Sequence, residues 1–120
     1  MPTQIALKAN DTVIPAILND TVAARDFKKR LPLKVSGYRS DVDYCCTAAC
    51  GVFDPTETQA GWKNGDISLA GGWFAVLFDG EEDSYQYKNM MIIAHINEED
   101  LHLIKELPAT VKFSVEIANS

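Results

Sequence analysis

Val111-Lys112-Phe113-Ser114-Val115-Glu116-Ile117 sets an apolar residue at every odd position and a polar one at every even position. A period of two is that of a strand with one face on a core and the other in water. Immediately before it, Asn97 is the N-cap type of residue, Glu98, Glu99 and Asp100 suit the positive first turn of a helix, and Leu101, Ile104 and Leu107 form its inward stripe. Pro108 ends that helix. Met90–Ile96 is a mostly apolar run read as a further strand, interrupted by His95.

Further back, Trp73–Phe78 is apolar at every position, as expected of a strand covered on both faces, with Trp73, Phe74 and Phe78 assigned to the core. Asn64-Gly65 is a hairpin signal ahead of a short strand at Ile67 and Leu69, which Gly71-Gly72 interrupts. Asp79-Gly80 turns the chain, and Glu81, Glu82 and Asp83 read as a solvated tip. Near the start, Ile5 and Leu7 alternate with polar neighbours, and Asn10-Asp11 turns the chain into a second arm, Thr12–Leu18. Pro15 in that arm lacks an N–H and so belongs at an edge or a bulge. A first helix follows Asn19-Asp20-Thr21, with Ala23, Phe27 and Leu31 on one stripe, Lys28, Lys29 and Arg30 in the last turn and Pro32 as its stop. Leu33–Tyr38 and Tyr44–Thr47 complete seven or eight strands.

The 120 residues, 47% hydrophobic and 23% charged, suit one domain, 1–120, and exclude disorder and coiled coils. A net charge of −6 disfavours a phosphate backbone as partner, so no nucleic acid is expected. No secretory signal and no apolar stretch long enough for a membrane helix are read in the sequence, and the expected location is cytoplasmic. Cys45, Cys46 and Cys50 lie within six positions without a Cys-x-x-Cys pair and are read as reduced thiols; no metal and no cofactor is assigned. Adjacent strand residues point to opposite faces, which separates Cys45 from Cys46. His95 is read as a solvent-facing or rim residue rather than a ligand or base, and His102 as a solvated helix residue.

Many antiparallel strands avoid exposed edges by closing into a barrel, whose ends two short helices can cap. Four segments carry a resemblance to a known family: Leu18-Asn19-Asp20-Thr21 with Ala23-Ala24; Leu31-Pro32-Leu33; Trp62-Lys63-Asn64-Gly65-Asp66-Ile67; and the stretch from Asn89 through Ile93 to Leu101–Leu107. With them the chain resembles the small bacterial cyclophilin-like domain family. The resemblance implies a mainly β fold, a closed antiparallel cyclophilin-like β-barrel with two short capping α-helices. Catalytic cyclophilins carry a Phe-His-Arg setting and a Phe-Met-x-Gln-Gly-Gly-Asp stretch, and neither occurs here. Of the three arginines, Arg25 and Arg30 lie on the first helix, and Arg39 follows Tyr38 instead of a Phe-His pair. No catalytic residue is therefore assigned. The expected function is a non-catalytic module that binds a small molecule or peptide in a cleft formed by Tyr38, Arg39, Tyr44 and Trp62. The alternatives are a prolyl isomerase with a degenerate site around Arg39, and a subunit of an enzyme processing a small amide or carboxylate.

Overall fold

The computed structural model describes residues 2–118, so Met1, Asn119 and Ser120, the ends of the expected 1–120 domain, lie outside the described residues. The described residues form eight strands: β1 (Thr3–Ala9), β2 (Thr12–Leu18), β3 (Leu33–Arg39), β4 (Asp43–Thr47), β5 (Asp66–Ala70), β6 (Trp73–Leu77), β7 (Ile92–His95) and β8 (Thr110–Ile117). They close into one barrel in the order β1-β2-β7-β5-β6-β4-β3-β8, with every pairing antiparallel. Closure leaves no long strand edge to pair with another chain.

The alternation in β8 does what its pattern dictates: Val111, Phe113 and Val115 are buried, while Lys112 is exposed and Ser114 and Glu116 are half-buried. Ile117, the last residue of the strand, is 45% exposed, so the inward stripe stops one position short of the expected one. Asn10-Asp11 is a two-residue hairpin turn between Ala9 and Thr12, with Asn10 at φ 54°. Pro15 sits where β2 is bonded to β1 alone, because β2 meets β7 only at Ile17 and Leu18.

Asn64-Gly65 does not join two paired strands as expected; it is a turn leading into β5, and the hairpin linking β5 to β6 is Gly71-Gly72, both at positive φ. The physical reason is contact with β7. Gly65 accepts a bond from the Ile96 amide at 2.8 Å, and a Cβ on Gly65 would lie 2.4 Å from the Ile96 carbonyl oxygen.

Helix α1 (Val22–Lys29) is capped as its sequence implies, the Thr21 hydroxyl accepting from the Ala24 amide at 3.1 Å. Its Ala23, Ala24 and Phe27 enter the core, and Phe27 stacks on Phe74 with centroids 5.7 Å apart. The second helix is shorter than expected. A 3-10 turn at Glu98–Asp100 precedes α2 (Leu101–Lys105), and the Asn97 side chain makes no capping bond. Leu107 and Ile104 are buried as the stripe requires, with Leu101 half-buried. The two helices close opposite mouths, since α1 feeds the start of β3 while the end of β3, at Arg39, donates to the Leu107 carbonyl after α2.

A second, smaller apolar layer lies outside the barrel. Trp62, Ala75, Leu77 and Ile92 are buried together there, with Val42 and Met90 packed on them. The chain from Gln59 to Trp62 pairs with the segment around Met90, and this flap covers the outer wall of β5, β6 and β7. The flap explains why β6 is apolar on both faces from Phe74 to Leu77. It does not reach Trp73, which is 52% exposed beside Thr47, so Trp73 leaves the expected core while Phe74 and Phe78 stay in it.

Candidate functional site

The four residues expected to form a cleft do not form one together; of them only Arg39 and Tyr44 meet. Tyr38 points outward from β3 and is 67% exposed. Tyr44 lies on the opposite, inner face: it is fully buried, packs edge-on against Phe113, and its hydroxyl sits between the carbonyl oxygens of Leu107 at 2.9 Å and Pro108 at 2.6 Å. Burial raises the Tyr44 phenol above its ordinary pKa, partly countered by the Arg39 guanidinium. Arg39 Nη1 donates to the same Leu107 carbonyl at 3.3 Å. Arg39 and Tyr44 thus meet, but as ties that hold the chain after α2 onto the barrel mouth. Trp62 belongs to the outer layer, where its indole Nε1 donates to the Asp79 carbonyl at 2.9 Å and its ring stacks on Tyr87.

The cysteines separate as strand geometry requires. Cys46 is buried in the core, Cys45 is half-exposed on the outer face of β4, and Cys50 is exposed in the following loop. Burial, with Cys45 and Asp43 nearby, pushes the Cys46 thiol up to about 12. Burial and Asp43 also raise Cys45. Thiolate is the reactive form, so a thiol reagent at neutral pH is expected to modify Cys50 first and Cys46 only after unfolding; a count of modified thiols over time, by mass, checks this. Between about pH 9 and 12 the unfolded chain releases the Cys46 proton while the folded chain keeps it, so stability is expected to fall as pH rises through that window. Denaturant titration of wild type against Cys46→Ala isolates the effect.

The polar pair that spacing did not single out is His95 with Asp66. These two residues face each other across β5 and β7, and His95 Nδ1 lies 2.7 Å from Asp66 Oδ1. The Asp66 side chain is only 9% exposed, against 42% for His95. Its second oxygen, Oδ2, accepts from the Lys63 amide at 2.9 Å, so both carboxylate oxygens are engaged and the group is fixed. Gly65 at φ 108° brings the turn against β7, where a Cβ would also come within 3.2 Å of His95 Cε1. A carboxylate at Nδ1 selects the tautomer with the proton on that nitrogen and leaves Nε2 with a lone pair.

Two surface hollows meet at this histidine. One, of about 400 Å³, is lined by Ile17, Asn19, Gln59, Lys63, Asp66, Ile92, Ala94 and His95. The other, of about 440 Å³, is lined by Lys63, Asn64, Glu81, His95, Glu98 and Leu101. Glu81 is therefore not merely a solvated tip; its carboxylate accepts from the Asn64 amide at 2.8 Å, and Asn64 Oδ1 accepts from the Glu81 amide at 3.2 Å. His95 stands three strand positions from Cys45 in the barrel order, on the order of 14 Å at the usual strand spacing, which removes it as a base for that thiol. Among the described residues, no three His, Cys, Asp or Glu side chains gather as a metal ion requires.

Comparison with known proteins bears on the scaffold. A profile described as the Cyclophilin-like family matches residues 7–117. The chain belongs to the cyclophilin-like family. Among solved structures, the solution structure of the hypothetical protein AF2241 from Archaeoglobus fulgidus is similar, with a TM-score of 0.74 and 15% sequence identity over 98% of this chain and 95% of that one. At that identity the likeness concerns the fold. Comparison with curated proteins finds no match. No helix among the described residues is long and apolar enough to cross a membrane.

Proposed function

We propose that this cyclophilin-like barrel is a binding module for a small polar molecule, received on its outer wall where the two hollows meet at His95. The observation that carries the reading is the 2.7 Å contact with buried Asp66, which orients the imidazole while its other nitrogen remains available. A fixed carboxylate behind a half-exposed ring is an arrangement that solvation alone does not require. The surroundings add Lys63 as a cation and the Gln59 amide, whose nitrogen donates to the Gly61 carbonyl while its oxygen can accept; the Asn19 amide is already tied to the Ile92 carbonyl and to Thr21, and serves as a fixed wall. A few convergent polar groups over apolar Ile17, Ile92 and Ala94 are what a small-molecule site needs. Free cysteines favour a reducing compartment, and with the acidic charge they favour a cytoplasmic protein whose partner is neither nucleic acid nor membrane.

Thermal-shift screening of small metabolites and short peptides tests the reading, because a ligand at a hundred times its Kd stabilises the native state by about 2.7 kcal/mol. The expected result is a small polar compound whose shift disappears in His95→Ala and persists in Tyr38→Ala. The opposite pattern would move the site to the β3–β4 wall.

A further inference from the structure

His95 and Asp66 form an oriented base, and the hollows around them hold no protein nucleophile: neither contains a serine, threonine or cysteine among its lining residues. Asp66 keeps the proton on Nδ1, so the lone pair that can accept one is on Nε2. Lys63 lines both hollows and is the one lysine or arginine in either lining. Resting on the binding reading above, we propose that this site is a general-base centre that hydrolyses small esters with water as the nucleophile.

In the step itself, His95 Nε2 takes a proton from a water molecule as the water oxygen bonds to the acyl carbon and the carbonyl π electrons move onto its oxygen. Lys63, which lines the same hollows, is the cation available to that developing negative charge. The tetrahedral intermediate re-forms the carbonyl, the acyl carbon–oxygen bond to the leaving group breaks, and the alkoxide or phenolate departs with the electron pair. The imidazolium returns its proton to the leaving group or to solvent, and the acid product ionises. Ester and water become acid and alcohol, with His95 restored. His95 is the catalytic residue and Asp66 a positioning residue, acting only through the imidazole.

p-Nitrophenyl acetate with the intact chain tests this. Wild type is expected to release p-nitrophenolate about a hundredfold faster than His95→Ala, the range of a positioned general base. His102→Ala, which removes the exposed imidazole on α2, should match wild type. Asp66→Asn should lower kcat while leaving KM nearly unchanged, and the wild-type rate should fall in D2O because a proton moves in the transition state. His95→Gln, closer in shape, secures the comparison if His95→Ala folds poorly. Equal rates in wild type and both His95 variants would overturn the inference. A burst of one acyl-enzyme equivalent insensitive to D2O would also overturn it, since the imidazole would then be the nucleophile. Shifts of the His95 ring signals on adding acetate, without turnover, would defeat the hydrolase and leave the binding module standing.

Discussion

Phe113→Ala is expected to remove a large part of the barrel's stability. Phe113 is fully buried in β8, opposite Val35 on β3, and meets Tyr44 edge-on with ring centroids 6.1 Å apart. Truncating such a ring removes its transfer free energy and leaves a cavity that neighbouring strands cannot fill, at a cost of about 3–5 kcal/mol. Domains of this size have roughly 5–15 kcal/mol in total, so the loss is a large fraction. A fall in Tm on the order of 15 °C follows for a chain of this length. Trp73→Ala is the control. Trp73 is larger and also lies in a strand, yet it is half-exposed on an uncovered part of the wall, and its loss should cost about 1–2 kcal/mol. Denaturant unfolding of the two variants separates inner from outer wall; equal losses would contradict the assignment of faces.

Gly37→Ala should be as damaging for the opposite reason. Gly37 on β3 pairs with Cys46 on β4, and a Cβ there would lie 1.8 Å from the Cys45 carbonyl oxygen and 2.6 Å from the Cys46 Cα. Those atoms are backbone, so no side-chain rotation relieves the overlap. Strands β3 and β4 must separate, which costs ladder hydrogen bonds and repacks the interior around Tyr44. Overpacking typically costs 1–3 kcal/mol, and with rigid neighbours the expected loss is about 3 kcal/mol or more. Hydrogen exchange checks where the loss falls: the β3–β4 amides should lose protection before those of β1 and β2. Unchanged stability in this variant would show that the two strands do not approach so closely.

How much of this was legible beforehand depended on how local the signal is. The β8 stripe up to Val115, the Asn10-Asp11 turn and the Thr21 cap are each settled by neighbours within four positions, and each appears where its residues put it. Trp73 departs from the core its apolar run implies because burial on the outer wall depends on the Gln59–Trp62 flap, which reaches Ala75 and Leu77 but not Trp73. The irregular segment between Tyr44 and Trp62 makes both look like cleft residues in the sequence; strand phase sends Tyr44 into the barrel, and Trp62, at the end of the flap, packs its ring against Ala75, Leu77 and Ile92. The His95–Asp66 pair is the least local feature of all. Its members are 29 positions apart, and only the register of β5 on β7 makes them neighbours. The available clue is an ionisable residue at one end of each of two short strands, Asp66 on β5 and His95 on β7, and nothing in spacing sets that register.

The most direct measurement is a long-range 1H–15N spectrum of the His95 ring at a pH where the imidazole is neutral. A carboxylate fixed at Nδ1 predicts the Nδ1–H tautomer in wild type and its loss in Asp66→Asn. Protonation at Nε2 in wild type, or a spectrum unmoved by Asp66→Asn, would mean that Asp66 does not orient the ring.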